Sequence, residues 1–495
     1  MEFIPDYTLS QSYKINNGAL RDLGTENNFG FTSKIGLTSD ITMDATYNPD
    51  FSQIETDAGQ IDVNLRYSIY YPEKRPFFLE GKDMLGFAGQ FANYPLGQIV
   101  NTRSIVKPKL GIKITGRAFS SDKFYFLYAL DDYPGELASQ NNIPDLSNKK
   151  TIFSVFRYVK TFRSDSYFGG IFTGRNFGYE YNYVTGVDGR MRLNGVSVIE
   201  YNLFGSFTKQ HLSSILIKGS VASFIYDYST DNIQASAGIY DISKNFDTQV
   251  GYLTKTGITT VPLFFQYRFN LNKKWLYKIE ANYTASHSID RFSNLYEGQN
   301  LFTVSLSMPY QSVLSLALTK SNEIYSNKSF NKDSYSFDFS IQPKNFYFSV
   351  NLVSGKAILY DPVNPQQGKG KQLTSEFTLQ LTSHFNTSLD VLYSDLYSIN
   401  NGNKFYDETV YQSNTIFQLN EYFYFRGILQ YNDYQKQFDE NLLAAFTYIP
   451  GTVIYLGYGS SYQKLKWENE RYSPSNDFLM TQKSFFFKAS YLYRF

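Results

Sequence analysis

The chain ends Ser484-Phe485-Phe486-Phe487-Lys488-Ala489-Ser490-Tyr491-Leu492-Tyr493-Arg494-Phe495, and this stretch decides the fold. Counting back from Phe495, an apolar or aromatic side chain stands at every second position (Tyr493, Tyr491, Ala489, Phe487, Phe485). The alternate set is mostly polar: Arg494, Ser490, Lys488 and Ser484. Successive side chains of a strand point to opposite faces, so one face here suits an apolar medium and the other suits water. That is the pattern of a membrane barrel strand, with lipid outside and a wet lumen inside.

The rest of the composition agrees. Across 495 residues the mean hydropathy is −0.35, and no run approaches the roughly 20 consecutive apolar residues of a spanning helix. A helical membrane protein is excluded. There are 44 Tyr and 44 Phe beside only 6 Met and 2 Trp, a load of aromatics suited to interfacial girdles. A net charge of +1 suggests neither nucleic-acid binding nor an acidic tail. The absence of Cys fits a chain that crosses an oxidising compartment without forming disulfides. The start, MEFIPDYTLS, has no basic, apolar or cleavage region, which predicts a mature or excised piece of a longer precursor.

Alternation recurs along the chain. Tyr335, Phe337, Phe339 and Ile341 alternate with Ser334, Ser336, Asp338 and Ser340; Trp275, Tyr277, Ile279, Ala281 and Tyr283 alternate with largely polar neighbours; Phe346, Phe348, Val350 and Leu352 repeat the pattern. Short connections near Ser39, Ser121, Ser164, Asn194, Asp231, Asn272, Pro309, Pro343, Asn386, Asn420 and Gly451 alternate with longer polar ones, in the later half at 288–298, 322–332, 358–370, 398–404, 432–437 and 466–483. The spacing predicts a single all-β, antiparallel up-and-down transmembrane barrel over 1–495 with about 24 strands and both termini on the periplasmic side. Closure also removes the edges that an open sheet of this size would expose. An aromatic-rich last strand ending in Phe resembles bacterial outer-membrane barrels. By that resemblance Phe495, Tyr493 and Tyr491 form the signal read by the barrel-assembly machinery, and outer-membrane lipid surrounds the chain in a Gram-negative cell.

One segment breaks the rhythm. Between a strand ending near Tyr47 and one beginning near Lys109, residues 49–107 form an insert that starts on the outer side and is too rich in aromatics for disorder. It is expected to fold into the mouth or lumen as a partial plug or cap. Its run Asn48-Pro49-Asp50-Phe51-Ser52-Gln53-Ile54-Glu55, then Val63-Asn64-Leu65, then Tyr71-Pro72-Glu73-Lys74-Arg75-Pro76-Phe77-Phe78-Leu79-Glu80-Gly81, resembles the barrel family called domain of unknown function 5916. Barrels of that family occur in Bacteroidota and normally follow a family-nine carbohydrate-binding-like module, so the resemblance implies a link to glycan capture. Ser52 stands where the family usually has Gly, and the Glu55-to-Asn64 spacing is longer. A fainter echo lies at Lys244-Asn245-Phe246-Asp247 and Val250-Gly251-Tyr252.

The insert concentrates acids: Asp50, Glu55, Asp57, Asp62, Glu73, Glu80 and Asp83. One reading is a Ca²⁺ site on Asp50, Glu55 and Asp57 with Asn48, since hard cations take several oxygen ligands; no other cofactor is indicated. The reading favoured by the habits of barrel interiors is that the acids pair with Arg66, Lys74, Arg75 and Arg103 to pin the insert to a polar wall. Phe77, Phe78 and Leu79 suit a sugar-stacking platform or a constriction, and better a small core that holds the insert down. The residues expected to make plug or lumen contacts are Asn48, Pro49, Phe51, Glu73, Lys74, Arg75, Pro76, Phe77, Phe78, Glu80 and Gly81.

His211, His287 and His384 lie far apart near strand ends, and no GxSxG or HExxH run is present. The expected function is therefore a non-enzymatic channel or surface scaffold, with a cell-surface glycan hydrolase as the alternative. The insert is too short and wrongly placed for the amino-terminal plug of a TonB-dependent receptor.

Overall fold

The computed structural model describes residues 1–50, 60–119, 121–141, 143–163, 165–210 and 215–495. Twenty-six strand segments form one sheet. Lys328–Asn331 and Ser334–Ile341 both pair with Ser312–Tyr325 as one interrupted stave, and Arg471–Ser490 and Tyr493–Arg494 both pair with the first strand, Glu2–Asn16. The result is a closed antiparallel barrel of 24 staves. Closure is made by the stretch that opened the reading: Tyr7 lies opposite Ala489 and Leu9 opposite Phe487, while the other edge of the first strand takes Ala19–Gly36.

The termini meet at one end, where the Met1 amino group donates to the Phe495 carbonyl at 3.1 Å. Short turns gather at this proximal end, among them 37–40, 193–196, 230–232, 274–275, 309–311, 342–345, 381–384, 419–422 and 450–451. They coincide with the predicted short set; Ser164 lies outside the described residues. Tyr491, Tyr493 and Phe495 are exposed, as are Tyr335, Phe337, Phe377 and Phe485 along the outer wall, while Lys488 of the alternate set is buried inward.

The distal end differs from expectation. Where long polar loops were predicted at 288–298, 322–332 and 466–483, the strands run on as ladders. Leu276–Asp290 and Leu295–Met308 are joined by 291–294, and Thr452–Glu468 and Arg471–Ser490 by Asn469 and Glu470, both at positive φ. Polar residues stand on both faces of these distal stretches, as in Glu297-Gly298-Gln299-Asn300 and Lys464 to Asp477, so the hydrophobic period fades while the ladder hydrogen bonds continue. A period-based reading cannot register such strands.

The lumen face is not uniformly wet either. Tyr125, Leu127 and Ala129 of Asp122–Asp131 point inward into one buried cluster with Phe153, Val155, Ile171, Phe204 and Tyr240 from later strands. Phe77, Phe78, Leu85, Phe87, Leu96, Ile99 and Ile105 of the insert complete that cluster. The insert thus packs against one part of the wall, and the wall is apolar where it does so. The sequence carries a trace of this, because Phe124 to Leu130 is apolar on both faces.

Candidate functional site

The insert leaves the wall at Asn48, whose positive φ of 49° turns the chain inward. Its side chain bridges two staves: Nδ2 donates to the Phe29 carbonyl at 3.1 Å and pairs with Asn28, while Oδ1 accepts from Lys109 Nζ at 2.9 Å. Pro49 is half-buried. Asp50 meets the closing strand. Lys488 Nζ donates to its carbonyl at 2.7 Å and lies 3.5 Å from its carboxylate, which also accepts from Thr8 Oγ1 at 2.7 Å. Phe51, Glu55 and Asp57 lie outside the described residues, as does His211. Asp50 is therefore placed in an ion pair with the wall, and of the Ca²⁺ set read from sequence only Asn48 and Asp50 lie among the described residues.

Glu73 and Arg75 form a buried knot. Arg75 Nε and Nη2 donate to the two Glu73 carboxylate oxygens at 2.8 and 2.7 Å, and its Nη1 and Nη2 donate to the carbonyls of Ile105 and Thr102, each at 2.6 Å. Thr102 Oγ1 adds a donor to Glu73 at 2.6 Å, and Lys74 N another at 3.1 Å. The knot therefore ties the start of the 72–105 segment to its end. Burial pushes the Glu73 carboxyl up, but the Arg75 guanidinium and the Thr102 hydroxyl outweigh it and hold the group below its ordinary range. A depressed carboxyl contributes stability that is complete above the ordinary Glu value of about 4.3 and is lost as pH falls through the depressed value. The insert is thus expected to remain docked at about pH 5 and to loosen only in stronger acid, which hydroxyl-radical footprinting of residues 72–81 across pH would show.

Pro76 opens a single helical turn, Pro76–Leu79, at the position where its missing N–H costs nothing. Phe77 and Phe78 are buried and meet edge to face at 5.0 Å, whereas Leu79 is exposed. Lys113, 0% exposed on the wall, donates to the Phe77 carbonyl at 2.8 Å and lies 3.2 Å from Asp44. Glu80 pairs with Lys34, and Gly81 takes a φ of 78° where a Cβ would approach Thr115 at 3.1 Å. Of the basic residues expected to pair with the insert acids, Arg75 pairs with Glu73, Arg66 reaches Glu323 of the wall, and Arg103 donates to the Pro72 carbonyl at 2.9 Å. For Arg66 the wall supplies the acid.

Residues 85–105 then line the wall. Ala88 N donates to Asp188 at 2.9 Å and Gly89 N to Glu200 at 3.1 Å, while Asn202 Nδ2 and Ser223 Oγ donate to the Gly89 carbonyl at 3.1 and 2.7 Å. Gly89 has φ +76°, and a Cβ there would lie 2.8 Å from Asn202 Nδ2 and 3.0 Å from the Tyr201 backbone. Gly89→Ala is expected to weaken docking by about 1–3 kcal/mol, seen as lost protection of residues 85–95 in the same footprinting assay.

Sequence reasoning missed the second element of this site. The distal loop at 243–257 folds in beside the insert. Tyr252–Leu253 pairs with Leu96–Gln98, Asn101 N donates to the Val250 carbonyl at 2.6 Å, and Phe246 and Val250 join the buried cluster. The faint echo at Lys244–Tyr252 was its only signal.

The segment 61–67 crosses to the opposite wall. Asn64 Nδ2 donates to the Ile358 carbonyl at 2.9 Å and its Oδ1 accepts from Tyr360 N at 2.7 Å; Arg66 pairs with Glu323 and donates to the Ile324 carbonyl at 3.0 Å. Beneath this strap lies a cavity of about 810 Å³ lined by Tyr67, Tyr94, Tyr240 and Tyr360 and by wall residues that include Ser286, Gln299, Thr319, Ser321, Gln372 and Ser394. Its charged lining residues are Arg66, Lys255, Lys332, Lys356 and Lys371 with Glu297, Glu323 and Asp395. Lys255 lies 2.8 Å from Glu297, and Lys332 and Arg66 share Glu323. His287 contacts Tyr296, and His384 sits in a proximal turn beside Ser383. Among the described residues no group of three or more His, Cys, Asp or Glu side chains is placed to hold a metal.

No curated protein matches the chain. Solved structures similar to it include a mutant of the ferric enterobactin receptor (PfeA) from Pseudomonas aeruginosa, with a TM-score of 0.43 and 8% identity over 99% of this chain and 80% of that chain. The copper transporter OprC has a TM-score of 0.45 and 9% identity over 99% of this chain and 81% of that one. The ferric citrate transporter FecA in its unliganded form gives 0.40 and 9% over 99% and 78%. Residues 2–104, which hold the first three strands and nearly all of the insert, match the model of the family described as Domain of unknown function (DUF5916).

Proposed function

We propose that the protein is a transmembrane barrel of a Gram-negative outer membrane, with its termini in the periplasm and residues 49–107 as a partial plug. The lumen takes a neutral hydrophilic ligand of the glycan class at its distal mouth. The observation that carries this reading is the division of the lumen. The insert packs on an apolar part of the wall, while the cavity on the other side is lined largely by hydroxyl, amide and tyrosine groups, with Lys255 paired to Glu297 and Lys332 to Glu323. Tyrosines offer both an apolar ring face and a hydroxyl, a combination suited to sugars, and a few convergent polar groups among aromatics are the ordinary lining of a ligand site. The exposed aromatics of the outer wall suit lipid, and the closing strand suits recognition by the assembly machinery. An upstream sugar-binding-like module, as the resemblance implies, would deliver the ligand. Glycan hydrolysis gains no support from Glu297 and Glu323, each of which faces a cation.

Deletion of 49–107 is expected to raise steady conductance in planar bilayers well above that of the intact barrel. Neutral oligosaccharides are expected to reduce the current of the intact protein. Equal conductance with and without the insert would defeat the plug reading, and indifference to every neutral sugar tried would defeat the ligand class.

A further inference from the structure

On the outer face of the distal wall, lysines from neighbouring staves stand side by side. Leu316, Leu318, Tyr335, Leu352 and Phe377 are exposed on that face. Strand alternation carries the same face on to Lys320, Lys356, Lys369 and Lys371. The register agrees: Leu318 lies opposite Tyr335, Tyr335 opposite Ser354, and Ser354 opposite Lys371. One pleat further from the termini, Lys356 lies directly opposite Lys369. Lys356 and Lys371 also border the distal cavity, because their inward neighbours, Gly355 and Gly370, leave the backbone bare. Lys320, Lys369 and Lys371 are exposed, and Lys356 is half-buried.

This patch is short of negative charge. Lys356 Nζ lies 3.5 Å from Asp333. Asp395, opposite Lys371, is 8% exposed; it accepts from the Lys371 backbone N–H at 2.8 Å and from Tyr393 Oη at 2.7 Å. Asp407, the next acid on this face, pairs with Lys404 at 2.8 Å. Among the described residues the side chains of Lys320, Lys369 and Lys371 have no hydrogen-bond or ion-pair partner. Like charges directly opposite on one sheet face destabilise it, and a lysine that only lifts its ammonium clear of lipid needs no such neighbour. We propose that the patch binds the phosphates of a glycolipid in the outer leaflet, whose acyl chains lie on the apolar side chains next to it on the same staves. That continuity favours a lipid over a soluble anion, since one amphiphile meets both surfaces. An ammonium with three donors suits a phosphate. The proposal rests on the reading of the distal end as the outer side and is separate from what the lumen takes.

The test titrates the full chain in neutral detergent with lipid A bearing both phosphates, and native mass spectrometry counts the bound lipid. A lysine beside an anionic lipid surface is worth about fivefold in affinity, so Lys369→Gln combined with Lys371→Gln is expected to weaken binding about thirtyfold. High salt is expected to bring the wild type toward the double variant. Lys218→Gln, at an exposed outward lysine of another stave, is expected to leave binding unchanged. Without lipid the double variant is expected to melt no lower than the wild type, because a repulsion is relieved. Should it not fold, Lys356→Gln is the second variant, with an expected loss of about fivefold. Equal affinity in wild type and variants would overturn the proposal, as would equal binding of dephosphorylated lipid A. Preference for phosphatidylglycerol would put a phospholipid in place of the glycolipid, and displacement of lipid A by soluble polygalacturonate would put an acidic glycan there; either overturns it. Asn401→Cys, in the distal turn at 399–403, is expected to label from outside whole cells. No labelling would refute the sidedness itself, whereas labelling without lipid A binding would refute only the glycolipid site.

Discussion

Replacing Arg75 by Ala is expected to release the insert from the lumen while leaving the barrel closed. The guanidinium serves both oxygens of buried Glu73 and the carbonyls of Thr102 and Ile105, and it lies 4.3 Å above the Phe78 ring. Its removal leaves a buried carboxylate without its cation and two carbonyls without donors, a loss of about 3–5 kcal/mol. At 1.4 kcal/mol per tenfold, the undocked population rises about a hundredfold or more. No barrel ladder passes through this knot, so heat-modifiability on gels should persist while trypsin gains access to Lys74 and Lys82 and conductance approaches that of the 49–107 deletion. Arg75→Lys keeps the charge but not the fork that spans four acceptors, and it should fall between the two. Wild-type protection in Arg75→Ala would show that the apolar cluster alone holds the insert.

The second large effect is expected at Arg157, which is 1% exposed on the inward face of Thr151–Phe162. It grips Asp188, itself 0% exposed, through both terminal nitrogens and donates to the Gly86 carbonyl at 3.0 Å. Gly169 lies beneath it, and a Cβ there would sit 2.6 Å from the guanidinium. Asp188 in turn accepts from Ala88 N at 2.9 Å and from Tyr167 Oη at 3.0 Å. Arg157→Ala therefore strands a buried carboxylate among neutral donors and removes one insert contact directly, again about 3–5 kcal/mol. Unlike Arg75→Ala, this substitution acts on the wall as well. Both the protection of residues 85–95 and the unfolding midpoint of the barrel in denaturant should drop. A change confined to the insert would mean that the pair does not brace the staves. The two substitutions share no partner, so their effects on docking should add.

Much of the site was visible as residues but not as contacts. Glu73, Arg75, Phe77, Phe78 and Gly81 stand out in the sequence as a compact run, and they do form the knot, the core contact and the close turn. Arg66 was grouped with the insert acids although its partner, Glu323, lies 257 residues away. Lys113, Arg157 and Asp188 carry no local mark, since each is one charged residue inside an otherwise ordinary strand. The loop at 243–257 looked like any distal connection until its Tyr252–Leu253 segment paired with Leu96–Gln98.

By itself the sequence determined the barrel, its parity and the place where the rhythm breaks. Side-chain alternation and turn chemistry are local properties, and from Phe495 backward they sort the strands that alternate into an outer and an inner face. Tertiary structure alone decided which part of the wall the insert covers, that strands continue past the apolar band, and that Arg66 reaches Glu323. Those outcomes depend on which staves closure brings opposite one another across the lumen, and a period of two residues holds no record of that distance.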